Sequence, residues 1–140
     1  MLNLQWDKAW EIGVDFIDEE HKNLLAIMRR IRQSILSGDY AECSSLSAEL
    51  IRLAEQHFAH EERFLDKVGY PGLHGHKTYH QRLIVQALQV KEICESTQHA
   101  DNLTACFDSM EQFLIDDIIA GDLQFVSFLE YEGHIRRRLA

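Results

Sequence analysis

Residues 56–80 read QHFAHEERFLDKVGYPGLHGHKTYH. Within this stretch His57 and Glu61 are four residues apart, and so are His76 and His80. On an α-helix, residues at i and i+4 stand one above the other on the same face. Two helices that turn these pairs toward each other bring three imidazoles and a carboxylate to one point, which is a metal site in outline. Imidazole suits iron, zinc, copper or nickel, and a carboxylate can bridge two metals. Between the pairs lies Gly69-Tyr70-Pro71-Gly72. Proline disfavours helical backbone at the residue before it, and glycine accepts a turn. The spacing therefore predicts a helix, a reversal, and a second helix that carries its pair back to the first.

The flanking sequence extends this pattern. A first helix is expected to start near Asp18, as its cap, with acidic residues following. Its apolar stripe is Ile17, Leu24, Met28, Ile31 and Ile35, and it should end at Ser37-Gly38-Asp39. His21 falls on that stripe. A single histidine on an apolar face is usually a core residue, but three more on inward faces elsewhere make His21 a candidate ligand. The second helix is expected over 40–67, with Leu46, Leu50, Leu53, His57, Phe64 and Val68 on one stripe together with Glu61. A carboxylate there is costly to desolvate unless paired or metal-bound. His60 and Glu62 fall elsewhere on the helical wheel and are assigned to the solvated face. The third helix is expected over 73–96, with His76, His80, Leu83, Ala87, Val90 and Cys94 inside and His74 exposed.

After a polar linker near 97–102, a fourth helix is expected over 103–120, with Leu103, Cys106, Met110, Phe113 and Asp117 in register. Asp117 thus occupies a position where an apolar or ligating residue is expected. Asp116 is about 100° out of that register, and Asp122, five residues after Asp117, is about 140° around a regular helix. A local distortion at Gly121 would bring both Asp117 and Asp122 inward. Residues 123–129 continue as a helical extension, and 130–140 form a tail with the basic run Arg136–Arg138. Residues 1–16, with Trp6 and Trp10, form an arm packed on the domain. The expectation is one all-α domain over 1–140: an up-down-up-down four-helix bundle with an N-terminal arm and its cofactor in the core.

Composition narrows the function. A net charge of −9 over 140 residues argues against nucleic acid and anionic membrane surfaces as partners. Cys43, Cys94 and Cys106 show no CxxC spacing and read as reduced, partly buried thiols of a cytoplasmic protein. No run approaches the roughly 18 apolar residues of a membrane span, and no signal peptide is read. No Ser-His-Asp arrangement, phosphate loop or nucleotide fingerprint is present in the pattern.

The ordered set His21, His57 and Glu61, His76 and His80, then Asp122 resembles the hemerythrin family, and the bacterial hemerythrins in particular, over about residues 6–129. WDKAWEIGVDFIDEEHKNL resembles the family's arm entering its first helix. HFAHEE resembles the second-helix motif, YPGLHGHKTYH the third, and FLIDDIIAGD the fourth. The resemblance implies a hemerythrin-like bundle around two non-heme irons with carboxylate and oxo or hydroxo bridges. By motif, His21 and His57 would hold one iron and His76 and His80 the other, with Glu61 and Asp122 as bridges. One iron would keep an open position for dioxygen. The implied function is a dioxygen carrier, store or sensor rather than an enzyme. The alternative is a diiron oxidase or peroxidase, or a stress protein handling iron or nitric oxide, with peroxide or nitric oxide as the ligand. Leu24, Phe113, Leu114 and Ile118 are the candidates for an apolar oxygen pocket.

The sequence departs from the family at one position. Asp117 stands where the fourth-helix motif carries a histidine five residues before the bridging Asp. Three outcomes are open: Asp117 binds that iron as a terminal carboxylate; it falls short and leaves a second open position; or the site holds a different metal, or one only. A carboxylate in place of a neutral imidazole lowers the charge of a ferrous pair with its bridges from plus one to zero. That change favours the ferric state.

Overall fold

The computed structural model describes residues 5–96, 100–115 and 121–136. Asp116, Asp117 and Ile118 lie outside them, as do residues 97–99 of the expected 97–102 linker and the side chains of Phe113, Cys94, Cys106 and Val90. A 3-10 turn at Lys8–Trp10 leads into α1 (Asp15–Leu36), α2 (Tyr40–Lys67), α3 (Leu73–Glu95) and α4 (Ala100–Ile115). A second 3-10 turn, Asp122–Phe125, then runs into the short α5 (Val126–Tyr131). No strand occurs among the described residues.

Local chemistry sets the ends of α2. The Asp39 carboxylate accepts from the Glu42 N–H at 3.1 Å, closing the N-terminus. At the other end Gly69 takes φ 75°, a left-handed conformation that side-chain-bearing residues avoid. The Tyr70 N–H then donates back to the Leu65 carbonyl at 2.9 Å. Pro71 follows, and α3 starts at Leu73.

The start of α1 differs from the expectation. Asp18 lies in the first turn of α1, not at its cap, and the N-cap Val14 supplies no side-chain hydrogen bond. The Asp18 carboxylate instead accepts from the Ile12 N–H at 2.8 Å and the Gly13 N–H at 3.0 Å. Amides of the arm, that of buried Ile12 among them, compete for the same acceptor as the helix's own first turn, and here the arm wins. The fourth helix also begins earlier than expected, at Ala100 rather than Leu103. Asp and Asn favour helix starts as much as linkers, so their polarity did not mark the boundary.

α1 packs on α2, α2 on α3, α3 on α4, and α4 closes back on α1. The order of buried residues along the helices gives their relative direction. Along α1 the chain meets Ile17, then His21, then Leu24, Leu25 and Met28; along α2 it meets Leu46 and Leu50, then His57 and Glu61, then Leu65. Neighbouring helices therefore run in opposite directions. One apolar cluster contains Leu24, Met28, Ile31, Leu46, Leu50, Phe107 and Met110. A second contains Ile12, Ile17, Leu65, Phe125, Val126 and Leu129. The buried histidines and carboxylates form a polar layer between the two.

The arm and the C-terminal segment finish the two apolar ends. Trp6 and Trp10 meet edge-to-face at 5.8 Å and pack against the first cluster. Lys22 Nζ stands 5.3 Å over the Trp6 ring. In the tail, Ile135 packs against the second cluster. Among the described residues no helix is long and apolar enough to cross a membrane.

Candidate metal centre

Each of the four long helical strands of the bundle, or its continuation, delivers its polar residue to the same level. α1 presents His21, α2 presents His57 and Glu61, α3 presents His76 and His80, and the turn after α4 presents Asp122. All six are buried, and Glu61 and Asp122 have no exposed surface. Groups this polar persist in a core when they share a proton, a partner or an ion.

The carboxylates divide their oxygens between two histidine pairs. Asp122 Oδ2 lies 2.7 Å from His21 Nε2 and 3.7 Å from His57 Nε2. Glu61 Oε2 lies 3.1 Å from His57 Nε2. On the other side, Glu61 Oε1 lies 2.6 Å from His76 Nε2 and 3.1 Å from His80 Nε2, and Asp122 Oδ1 lies 3.2 Å from His76 Nε2. One donor group is thus His21, His57, Glu61 and Asp122, and the other is Glu61, His76, His80 and Asp122. In each, one ligand atom per residue lies within 4.8 Å of the others. The two groups share both carboxylates.

Asp122 reaches the centre by a close approach. Gly121 has ordinary right-handed backbone angles, φ −77° and ψ −60°. A Cβ there would come within 2.6 Å of Tyr79 Cε1, so glycine is needed for room. The segment presses against α3 beside His80, and the backbone tightens into a 3-10 turn at Asp122.

Two further carboxylates sit outside the six. Glu20 Oε1 lies 3.0 Å from His57 Nδ1, and its Oε2 lies 2.6 Å from His60 Nδ1. Glu62 Oε2 lies 3.0 Å from His80 Nδ1. The solvated-face assignment of His60 and Glu62 is therefore corrected: both are half-buried and engaged. Glu20 carried no assignment at all. The signal was adjacency. Each glutamate neighbours a central residue, His21 or Glu61, and one residue along a helix is about 100° around it. When the neighbour points to the bundle centre, that rotation points toward the adjoining helix.

These contacts set the protonation of the layer without an ion. Burial works against the His57 imidazolium, but the carboxylates of Asp122, Glu20 and Glu61 around it outweigh that and hold its pKa well above the usual value. Burial likewise opposes a charged His76, and Asp122 and Glu61 lift it to about 10. Burial disfavours the Asp122 carboxylate, yet the imidazoles of His21, His57 and His76 around it keep it well below the usual range. Glu20 is also lowered: partial burial raises it, and His57 and His60 more than compensate. Positive charge is what the two carboxylates demand, and protons or metal ions both supply it.

An apolar cavity of about 50 Å³ adjoins the layer, lined in part by Leu24, Leu50, Phe58, Leu83, Met110 and Leu114. Leu24 and Leu114 were expected there; Phe58 was not. The Phe58 ring stacks on the His80 imidazole at 3.9 Å and 10°, and so forms the wall between cavity and centre.

Residues 12–120 match the Hemerythrin HHE cation binding domain. The chain belongs to the hemerythrin family. It is 33% identical over 94 residues to a bacteriohemerythrin of Clostridium acetobutylicum, covering 63% of this chain and 73% of that one. It is 31% identical over 87 residues to a myohemerythrin of Theromyzon tessulatum, covering 62% and 68%. To a bacteriohemerythrin of Stenotrophomonas maltophilia it is 26% identical over 91 residues, covering 65% of this chain and 60% of the relative. The buried His/Glu/Asp cluster of this hemerythrin is compatible with a diiron site.

Proposed function

We propose that this hemerythrin is a non-heme diiron protein that binds dioxygen as a carrier, store or sensor. The observation that carries the reading is the division of Glu61 and Asp122, each offering one oxygen to the His21–His57 pair and the other to the His76–His80 pair. That is the donor arrangement of two ions bridged by two carboxylates. In this reading His21 and His57 hold one iron, His76 and His80 the other, and Glu61 and Asp122 bridge them. Asp117 takes the place of a further imidazole on the second iron. Imidazole with carboxylate suits iron, and iron supplies the electrons that reversible dioxygen binding requires.

The protein's own residues do the rest. Burial excludes bulk water from the six donors. The cavity of about 50 Å³ is apolar and of a size for a diatomic molecule, and it ends at Phe58 against His80. The test is anaerobic loading with ferrous iron, then air, with metal content and visible spectra followed over time. Two irons per chain, with an absorption band that appears in air and vanishes on deoxygenation, are expected. One iron or none overturns the diiron reading. Two irons with immediate conversion to a ferric spectrum move the function to oxidase or peroxidase chemistry.

A further inference from the structure

Glu20 and Glu62 are not among the six central residues, yet each reaches one central imidazole from the neighbouring helix. Glu20, on α1, approaches Nδ1 of His57 on α2; Glu62, on α2, approaches Nδ1 of His80 on α3, both at 3.0 Å. The other nitrogen of each ring, Nε2, lies 3.1 Å from Glu61. An imidazole that donates its Nδ1–H outward to a carboxylate turns the Nε2 lone pair inward, with the ring plane fixed by both contacts. The two rings belong to different halves: His57 shares its half with His21, and His80 shares its half with His76.

The outer carboxylates are held differently. Glu20 spreads its two oxygens over His57 and His60. His60 is 43% exposed, and Glu20 stands between it and the His57 ring. His60 thus steadies Glu20 without belonging to the central layer. Glu62 follows Glu61 directly and needs no reach across the bundle other than to α3.

We propose that Glu20 and Glu62 are positioning residues that tune the two metal positions separately. Glu20 acts on the His21–His57 half through His57, with His60 holding it in place, and Glu62 acts on the His76–His80 half through His80. The proposal rests on the two-metal reading above.

The test titrates the full-length, metal-free chain with zinc, a diamagnetic probe for both positions, against a chromophoric chelator. The chains compared are the parent, Glu20→Gln, Glu62→Gln and His60→Ala. Ring nitrogen and proton signals of His57 and His80 are read by NMR in the loaded forms. Glu20→Gln should weaken one zinc by about 10- to 100-fold, as loss of such an outer partner does. It should shift the His57 ring signals while leaving those of His80 in place. Glu62→Gln should do the converse. His60→Ala should weaken the same zinc as Glu20→Gln, by less. His60 lies at the surface, so its variant keeps the test even where a glutamate variant does not fold. A parent that takes up one zinc or none overturns the two-metal reading and this proposal with it. Two zincs in the parent, with both or neither weakened in a variant or with the wrong ring signals moving, overturns the proposal alone.

Discussion

At the residue scale, two positions have effects of predictable sign. In the proposed diiron centre Asp117 would add a carboxylate to the two of Glu61 and Asp122, and a less positive pair of irons releases electrons more readily. Asp117→His should therefore slow autoxidation of the ferrous, air-exposed protein by about tenfold or more, the rate effect of roughly 1.4 kcal/mol. Stopped-flow and slower visible spectroscopy follow the decay, and an unchanged rate refutes the role given to charge. Gly121 is the second position. Its Cα faces the Tyr79 ring so closely that an added methyl would stand 2.6 Å from Cε1. Gly121→Ala should cost about 1–3 kcal/mol through overpacking. It should also displace Asp122, lowering metal uptake. Tyr79→Ala in the same chain should restore part of both, as chemical denaturation and metal analysis would show. No such restoration would mean that the backbone, not the ring contact, is what glycine serves.

At the element scale, α1 and the arm are joined by Asp18. Its carboxylate takes the N–H groups of Ile12 and Gly13, and Ile12 itself is fully buried in the second apolar cluster. Asp18→Ala leaves these amides short of an acceptor, which should cost about 1–3 kcal/mol. Hydrogen exchange at Ile12 and Gly13 should accelerate more than exchange in the middle of α2. Equal acceleration throughout would make Asp18 a contributor to global stability alone. The same residue shows what sequence reading reaches. The ends of α2 were legible because Asp39, Gly69 and Pro71 act within a few residues of themselves. The apolar stripe of α1 was legible because 3.6-residue periodicity is local too. The role of Asp18 was not, since its partners come from the arm, and an aspartate reads equally as a cap or as a distant acceptor. Glu20 and Glu62 were hidden for the same reason: which helix lies beside them is a property of the folded bundle. His57, Glu61, His76 and His80 were easier, because i, i+4 pairs mark a shared face before any packing is known.

At the scale of the whole molecule, the polar layer couples folding, protons and metal. In the metal-free chain His57 and His76 are held above their ordinary pKa, His76 at about 10. A raised group contributes stability that is complete below its unfolded value, about 6.5 for histidine, and is lost as pH rises through the folded value. Asp122 is held low and behaves in the opposite sense: its contribution is present above the unfolded carboxylate value and is lost as pH falls. The metal-free chain should then melt at its highest temperature between about pH 4 and 6.5 and progressively lower as pH climbs toward 10. Metal reverses the upper limb. An ion needs the imidazole nitrogens that protons occupy, so its binding releases protons and tightens with pH. Because an ion that binds the folded chain adds stability in proportion to the logarithm of its affinity, the gap between loaded and metal-free melting temperatures should widen from pH 6 to pH 9. Anaerobic thermal scans with and without excess ferrous iron measure that gap. Calorimetric titrations at pH 7 in buffers of different ionisation enthalpy should also record proton release on binding. A gap that stays constant or narrows with pH would mean that metal does not replace the imidazole protons. The layer between the two apolar clusters would then be a salt-bridge core rather than a metal centre.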